Sequence, residues 1–169
     1  ALSERKKRRR VAIGPHATLL FENWDTMWYQ VQEMLWIEKG GADQLPDELA
    51  AYNPMIPNGS ELTATLMFGI SDEAKRRAFL AELGGVEDHI SISIGGDRVK
   101  AVADEDLERT TADGKTSSVH FLHFPFSAEQ IAAFKRGGDI LVRIDHPRYG
   151  HAAIIGDEVR AELESDFSR

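Results

Sequence analysis

The stretch "SSVHFLHFPF" sets two histidines, His120 and His123, three residues apart in an apolar run. An imidazole can hold a metal, move a proton or order a turn. The run is typical of a β-strand, in which side chains three apart point to opposite faces. The spacing therefore predicts no chelating pair. We expect His120 to point inward and to be hydrogen-bonded, with Ser118 as a polar neighbour on its face, and His120 is a candidate metal ligand.

The segment "NWDTMWYQVQEMLWIEK" predicts a helix that is apolar almost all round, with Glu33 as its only charged side chain between Asp25 and Glu38. Such a helix is buried or lies at an interface. A carboxylate buried there must be paired, protonated or bound to a metal. Glu33 is therefore a candidate catalytic or metal-binding residue, and the alternative is a structural salt bridge to Arg8, Arg9 or another nearby cation.

Two further groups could join Glu33 in one site. His16 follows the Gly14-Pro15 turn, and Glu22 ends the strand that comes next. Imidazole and carboxylate ligands suit zinc, iron or manganese. We predict one pocket that contains Glu33 together with His16 or Glu22, and we keep all three as candidate metal ligands.

The segment "IDHPRYGH" places His146 at the end of an apolar strand, with Tyr149 close behind it. Loops at strand ends often carry function, so the two are candidate catalytic residues, as an acid–base or binding pair. The alternative is a hydrogen bond from the histidine that orders the turn.

Several chemistries are excluded or unsupported. Cysteine is absent, which excludes thiolate catalysis, disulfides and a protein-held iron–sulfur cluster, so a redox role would be indirect. The sequence contains no phosphate-binding glycine loop, HExxH or GxSxG motif. The identity of any cofactor remains open.

The charge is distributed unevenly. The net charge is −8, yet Arg5 to Arg10 are six consecutive cations. We interpret residues 1–10 as the end of a basic helix that leads into the first strand, and nucleic-acid binding through this run is an alternative. No apolar run reaches the length of a membrane span, which favours a cytoplasmic protein.

The elements that must position these residues indicate an α+β fold. Hairpins mixed with separated helices predict one domain, 1–169, with a mainly antiparallel sheet, a central buried helix and flanking helices. The aromatic helix from Asn23 to about Glu38 would form the centre of this domain or of a homodimer. Trp28 would then be a core residue.

The chain also resembles a known family. The segments "RRVAIGPHATLLFEN", "YQVQEMLWIEK", "AYNPMIPNGSELTATLM", "VADEDLERT", "SSVHFLHF" and "IDHPRYGHA" are similar, in order, to an uncharacterised bacterial family catalogued as domain of unknown function 3501. The resemblance implies no activity. It implies a setting beside rubrerythrin-type and heterodisulfide-reductase-like iron–sulfur proteins.

These observations favour an accessory or binding protein. It would serve an iron–sulfur or rubrerythrin-type redox system through contacts with a partner protein, with the aromatic helix as the docking surface if part of that helix is exposed. The first alternative is a metal-dependent enzyme with His and Glu ligands. Nucleic-acid binding ranks last.

Overall fold

The structure is a computed structural model that describes residues 2–103 and 115–168. It confirms the α+β class. The helices are α1 (Leu2–Arg8), α2 (Trp24–Glu38), α3 (Leu45–Tyr52), α4 (Glu73–Ala81), α5 (Ala128–Arg136) and α6 (Asp157–Glu164). The strands are β1 (Arg10–Ile13), β2 (Ala17–Glu22), β3 (Glu61–Phe68), β4 (Ile90–Ile94), β5 (Asp97–Lys100), β6 (Val102–Ala103), β7 (Val119–Pro125), β8 (Ile140–His146) and β9 (Tyr149–Ile154).

The strands form two sheets rather than the single sheet predicted from the sequence. Five strands pair in the order β1-β2-β3-β7-β6, and four pair in the order β5-β4-β8-β9. Every pairing among the described residues is antiparallel. Only Ala101 separates β5 from β6, so the chain crosses from one sheet to the other at this point.

One apolar core lies between the inner faces of the two sheets. Alternate side chains of β2, β3 and β7 meet those of β4 and β8, and examples are Phe21, Leu66, Phe124, Ile92 and Val142, all fully buried. Helix α5 supplies Phe134 to the same core. This two-residue periodicity is what the alternating sequence of these strands predicts.

The outer faces of the two sheets have different environments. The chain around α2 and α3 covers the five-stranded sheet, where the ring of Tyr52 meets that of Phe121 and Thr63 Oγ1 donates to the Met55 carbonyl. The outer face of the four-stranded sheet holds exposed side chains such as Lys100 and Ile154. Helix α2 is therefore the outermost layer on its side of the molecule.

The prediction of a central buried helix is wrong. Only Thr26, Met27 and Val31 of α2 are buried, while the Trp28 side chain is 51% exposed. The helix packs on the sheet through one narrow side, and α3 is too short to cover the rest. The predicted ends of the helix are nevertheless correct, because Asn23 forms its capping box and Gly40 follows a left-handed Lys39.

The basic segment ends in a buried arginine. As predicted, a helix (α1) leads into the first strand, but Arg9 between them is fully buried, unlike its neighbours Arg8 and Arg10. Its guanidinium donates to the backbone carbonyls of Phe21 and Glu22 and pairs with carboxylates from the C-terminal part of the chain. These partners are Glu162, at 3.4 Å, and Asp166.

Among the described helices, none is both long and apolar enough to span a bilayer.

Candidate functional site

The two histidines of β7 lie on opposite faces, as their spacing predicts. His120 is fully buried, and its Nε2 donates to the Ser117 carbonyl at 2.9 Å, with Thr116 Oγ1 at 3.1 Å. These partners replace the expected Ser118. His123 faces outward, and its Nδ1 lies 3.1 Å from Oε2 of Glu61 on the neighbouring strand β3. The structure thus gives each histidine a local hydrogen-bonding role.

His146 and Tyr149 face each other across the β8–β9 hairpin, and both order turns. His146 Nε2 donates to the Gly84 carbonyl at 2.9 Å, and its Nδ1 accepts from the Arg148 backbone at 3.1 Å. The latter is the turn-ordering alternative considered from the sequence. This geometry occupies both ring nitrogens, which weakens the case for His146 as an acid–base group.

Tyr149 fixes the turn that carries His16. Its buried hydroxyl donates to the Ile13 carbonyl and accepts from the backbone N–H groups of His16 and Ala17, both at 3.1 Å. Gly14 has a φ of 70°, and a Cβ there would come within 2.6 Å of the Tyr149 hydroxyl. The tyrosine therefore acts on the backbone of the first hairpin.

The hollow beside Glu33 is lined by Gln32, Trp36 and Ile37, and neither His16 nor Glu22 lines it, so the predicted shared pocket is not formed there. His16 and Glu22 lie at opposite ends of β2, about 20 Å apart at the rise of an extended strand. His16 packs on Phe79 at the edge of the core, with ring centroids 5.2 Å apart. No group of three or more His, Asp or Glu side chains among residues 2–103 and 115–168 could hold a metal ion.

Glu33 is not a buried carboxylate. It is exposed on α2 and accepts a hydrogen bond from the Tyr29 hydroxyl, one helical turn earlier, at 3.0 Å. This hydrogen bond, with the nearby negative charge, raises the pKa of Tyr29. Among the described residues, Glu33 forms no salt bridge to Arg8, Arg9 or another cation, and its partner is Tyr29.

The buried carboxylate of this region is Glu22 instead. Its side chain is 5% exposed, and Oε2 accepts from Thr65 Oγ1 at 3.0 Å. Oε1 is buried and accepts no hydrogen bond from the described residues. Burial raises the pKa of the Glu22 carboxyl above its usual value, and hydrogen bonds from Thr26 and Thr65 and the charges of Lys6 and Arg9 offset this only in part.

An apolar groove lies between α2 and α3, and we call it the α2–α3 groove. Its volume is about 330 Å³. Trp24, Trp28 and Val31 line it from α2, and Leu45 and Leu49 line it from α3. The two indoles are stacked, with centroids 5.9 Å apart and planes inclined by 16°.

The apolar surface continues beyond the groove. Trp36 is 78% exposed and Ile37 is 58% exposed at the end of α2, beside a second, shallower hollow. A contiguous apolar patch of this kind commonly marks an interaction site. The sequence contained the signal: α2 is apolar on every side, and Leu45 and Leu49 are four apart on a helix too short to bury them.

The segment that forms the groove is acidic, although the residues that line the groove itself are uncharged. The segment from Asn23 to Asn53 carries a single cation, Lys39, and six carboxylates: Asp25, Glu33, Glu38, Asp43, Asp47 and Glu48. Two cations of helix α1 contact side chains of α2 in this segment. Arg5 pairs with Asp25, and Lys6 Nζ lies 4.7 Å from the centre of the Tyr29 ring.

Comparison with known proteins finds one matching family model and a similar solved structure. A family model described as "Protein of unknown function (DUF3501)" matches residues 1–167. The crystal structure of a novel protein of unknown function from Burkholderia pseudomallei K96243 is similar, with a TM-score of 0.89 and 45% identity. The match covers 98% of this chain and 86% of that one. No curated protein matches.

Proposed function

We propose that this chain, which belongs to the DUF3501 family, is an accessory protein that binds a basic, amphipathic helix of a partner protein in the α2–α3 groove. The observation that carries the proposal is the exposure of all three tryptophans of the chain, Trp24, Trp28 and Trp36, on one surface helix. Tryptophan is the residue most enriched among the energetic centres of protein interfaces.

The shape of the groove supports a helical ligand. Two helices flank an apolar trough, and amphipathic helices bind such troughs through side chains spaced three and four apart. The stacked pair Trp24 and Trp28 supplies large, rigid apolar surface at little cost in conformational entropy. Gln32 and Asn53, which also line the groove, can give orientation through hydrogen bonds.

The net negative charge of the segment that forms the groove supports a basic ligand. Six carboxylates and one lysine between residues 23 and 53 favour lysine and arginine at the rim of the partner. The same charges oppose an anionic nucleic acid or an acidic membrane surface at this site. The basic run of residues 5–10 offers little positive surface for such an anionic ligand, since Arg9 is buried and Arg5 already pairs with Asp25.

We propose an iron–sulfur or rubrerythrin-like protein in the cytoplasm as the partner. Support comes from the family resemblance and from the absence of cysteine, which leaves electron transfer to the partner. Homodimerisation through α2 is an outcome that the same experiments detect. A metal-dependent activity remains the alternative, with no cluster of ligands among the described residues to support it.

The groove can be tested with defined peptides. A leucine–lysine peptide with helical spacing should bind the protein, and its leucine–glutamate counterpart should not, because the segment from Asn23 to Asn53 carries a net negative charge. Trp28→Ala should weaken binding of the lysine peptide about tenfold, through loss of roughly 1.4 kcal/mol of contact energy. Isothermal titration calorimetry measures both affinities.

Ile154→Ala is the matched control, because Ile154 is 75% exposed on the four-stranded sheet, away from the groove. It should bind the lysine peptide like the wild type. Equal affinity of Trp28→Ala and wild type would contradict the proposal, as would equal binding of the two peptides. Analytical ultracentrifugation of the protein alone shows whether a second copy occupies the groove instead.

A further inference from the structure

Glu22 lies directly before Asn23, the residue that caps α2, and under the first turn of that helix. We propose that protonation of Glu22 holds the first turn of α2 against the sheet, and that its ionisation loosens this turn and weakens ligand binding in the α2–α3 groove. This inference rests on the proposed function, because it describes the regulation of the same site.

The position of the carboxyl group favours its neutral form. It points outward from β2 into the layer between the five-stranded sheet and α2, where Glu22 is only 5% exposed. Thr65 Oγ1 donates to Oε2 and the nearby Thr26 hydroxyl also favours the charged form, whereas Oε1 receives no hydrogen bond from the part of the chain that the structure describes. A carboxylate with so few donors is poorly stabilised when it is charged.

The neighbouring charges do not neutralise Glu22 directly. Arg9 uses its guanidinium on two backbone carbonyls and on the carboxylates of Glu162 and Asp166. Lys6 of α1 lies over the Tyr29 ring. Asp25, in the first turn of α2, pairs with Arg5. On the same face of the sheet, Thr63 and Thr65 of β3 carry no charge, Glu61 of β3 meets His123 of β7 at 3.1 Å, and Arg10 of β1, opposite Leu20, is exposed.

Ionisation can be relieved most easily at α2. The sheet side of the site is fixed by strand pairing, whereas the first turn of α2 is held by its cap, by the partly exposed Arg5–Asp25 ion pair and by the narrow contact of Thr26 and Met27. Movement of this turn would admit water to the carboxylate. The same turn carries Trp24, which lines the groove, so the two events are coupled.

The direction of the pH dependence follows from the protonation equilibrium. At low pH Glu22 is neutral and the first turn is seated. As the pH rises through the raised pKa of Glu22, the carboxyl loses its proton, the turn loosens and groove affinity falls. The lysine side chains of the test peptide stay charged up to about pH 9, so they do not cause this change in affinity.

The test uses the three tryptophans as probes, because all of them lie on α2. We expect the tryptophan emission of the wild type to shift to longer wavelength, with stronger acrylamide quenching, between about pH 4 and about pH 9. Glu22→Gln should lose this transition and keep the low-pH spectrum. Thr65→Val, which removes the donor to the ionised form, should move the transition to higher pH.

Glu33→Gln is the matched control, since it removes an exposed carboxylate from the same helix and should keep the transition. A transition that persists in Glu22→Gln, or its absence from the wild type, overturns the inference. The fluorescence experiment needs no ligand, so the Glu22 transition can be observed even if no peptide binds. Absence of peptide binding would overturn only the proposed function. With binding established, the lysine peptide should lose affinity at high pH in wild type but not in Glu22→Gln.

Discussion

Arg9→Ala is expected to lower the free energy of unfolding by about 3–5 kcal/mol, the usual cost of removing one member of a buried ion pair. The Arg9 side chain is fully buried and pairs with Asp166, which is itself 6% exposed. Its removal takes the guanidinium away from the Asp166 carboxylate, and it removes one donor each from the carbonyls of Phe21 and Glu22. Urea unfolding followed by circular dichroism measures the loss.

Arg8→Ala is the matched control for this prediction. Arg8 is the neighbouring residue, but its side chain is 55% exposed and its pair with Glu158 is long, at 3.9 Å. Exposed pairs of this kind contribute about 0–1 kcal/mol. Equal losses for Arg8→Ala and Arg9→Ala would contradict the buried network and would indicate that only the total charge of the N-terminal segment matters.

Tyr149→Phe is expected to destabilise the protein by about 2–3 kcal/mol. The substitution keeps the ring, which packs against Phe68 and Phe79, but removes the hydroxyl that joins the turn around Gly14 to β9. The Ile13 carbonyl loses its donor, and the backbone N–H groups of His16 and Ala17 lose an acceptor. Each buried group left without a partner costs about 1–3 kcal/mol, although local relaxation recovers part of this.

Tyr29→Phe provides the comparison. Its hydroxyl donates to Glu33 on the exposed side of α2, where water can replace the lost hydrogen bond. We expect a change within about 0.5 kcal/mol in unfolding experiments. A small loss for Tyr149→Phe as well would show that the hydroxyl is dispensable, and it would reopen Tyr149 as a candidate for chemistry.

The candidate site illustrates how far a sequence pattern can lead. The pattern correctly singled out the aromatic helix as the unusual element, and it offered a docking surface as one of two readings. It could not tell burial from exposure, because an apolar face looks the same whether the chain itself or a partner covers it. The structure shows that Trp28 and Trp36 of α2 are exposed.

The choice between the two glutamates depended on tertiary contacts. Glu33 looked buried because its helical neighbours are apolar, yet the structure places it on the exposed side of α2. Glu22 looked like the polar end of a strand, yet α2 folds back over it. Burial of a side chain depends on what packs above it, and local periodicity does not contain that information.

Local sequence determined the features that depend on neighbouring residues alone. The capping residues Asn23 and Ser127 set the starts of α2 and α5, and Gly95-Gly96 turns the β4–β5 hairpin. The two-residue period of β7 placed His120 inward and His123 outward. Backbone hydrogen bonding and side-chain alternation act over a few residues, so these features can be read directly from the chain.

Only the tertiary structure decided which cation of the N-terminal run is buried. The six consecutive cations are equivalent in the sequence, whereas the fold sets Arg9 beside the end of β2 and beside Glu162, 153 residues along the chain. The same long-range packing divided the strands between two sheets and left a groove beside α3. These outcomes depend on contacts between segments that are distant in the sequence. Such contacts form only in the folded chain, so local sequence patterns do not specify them.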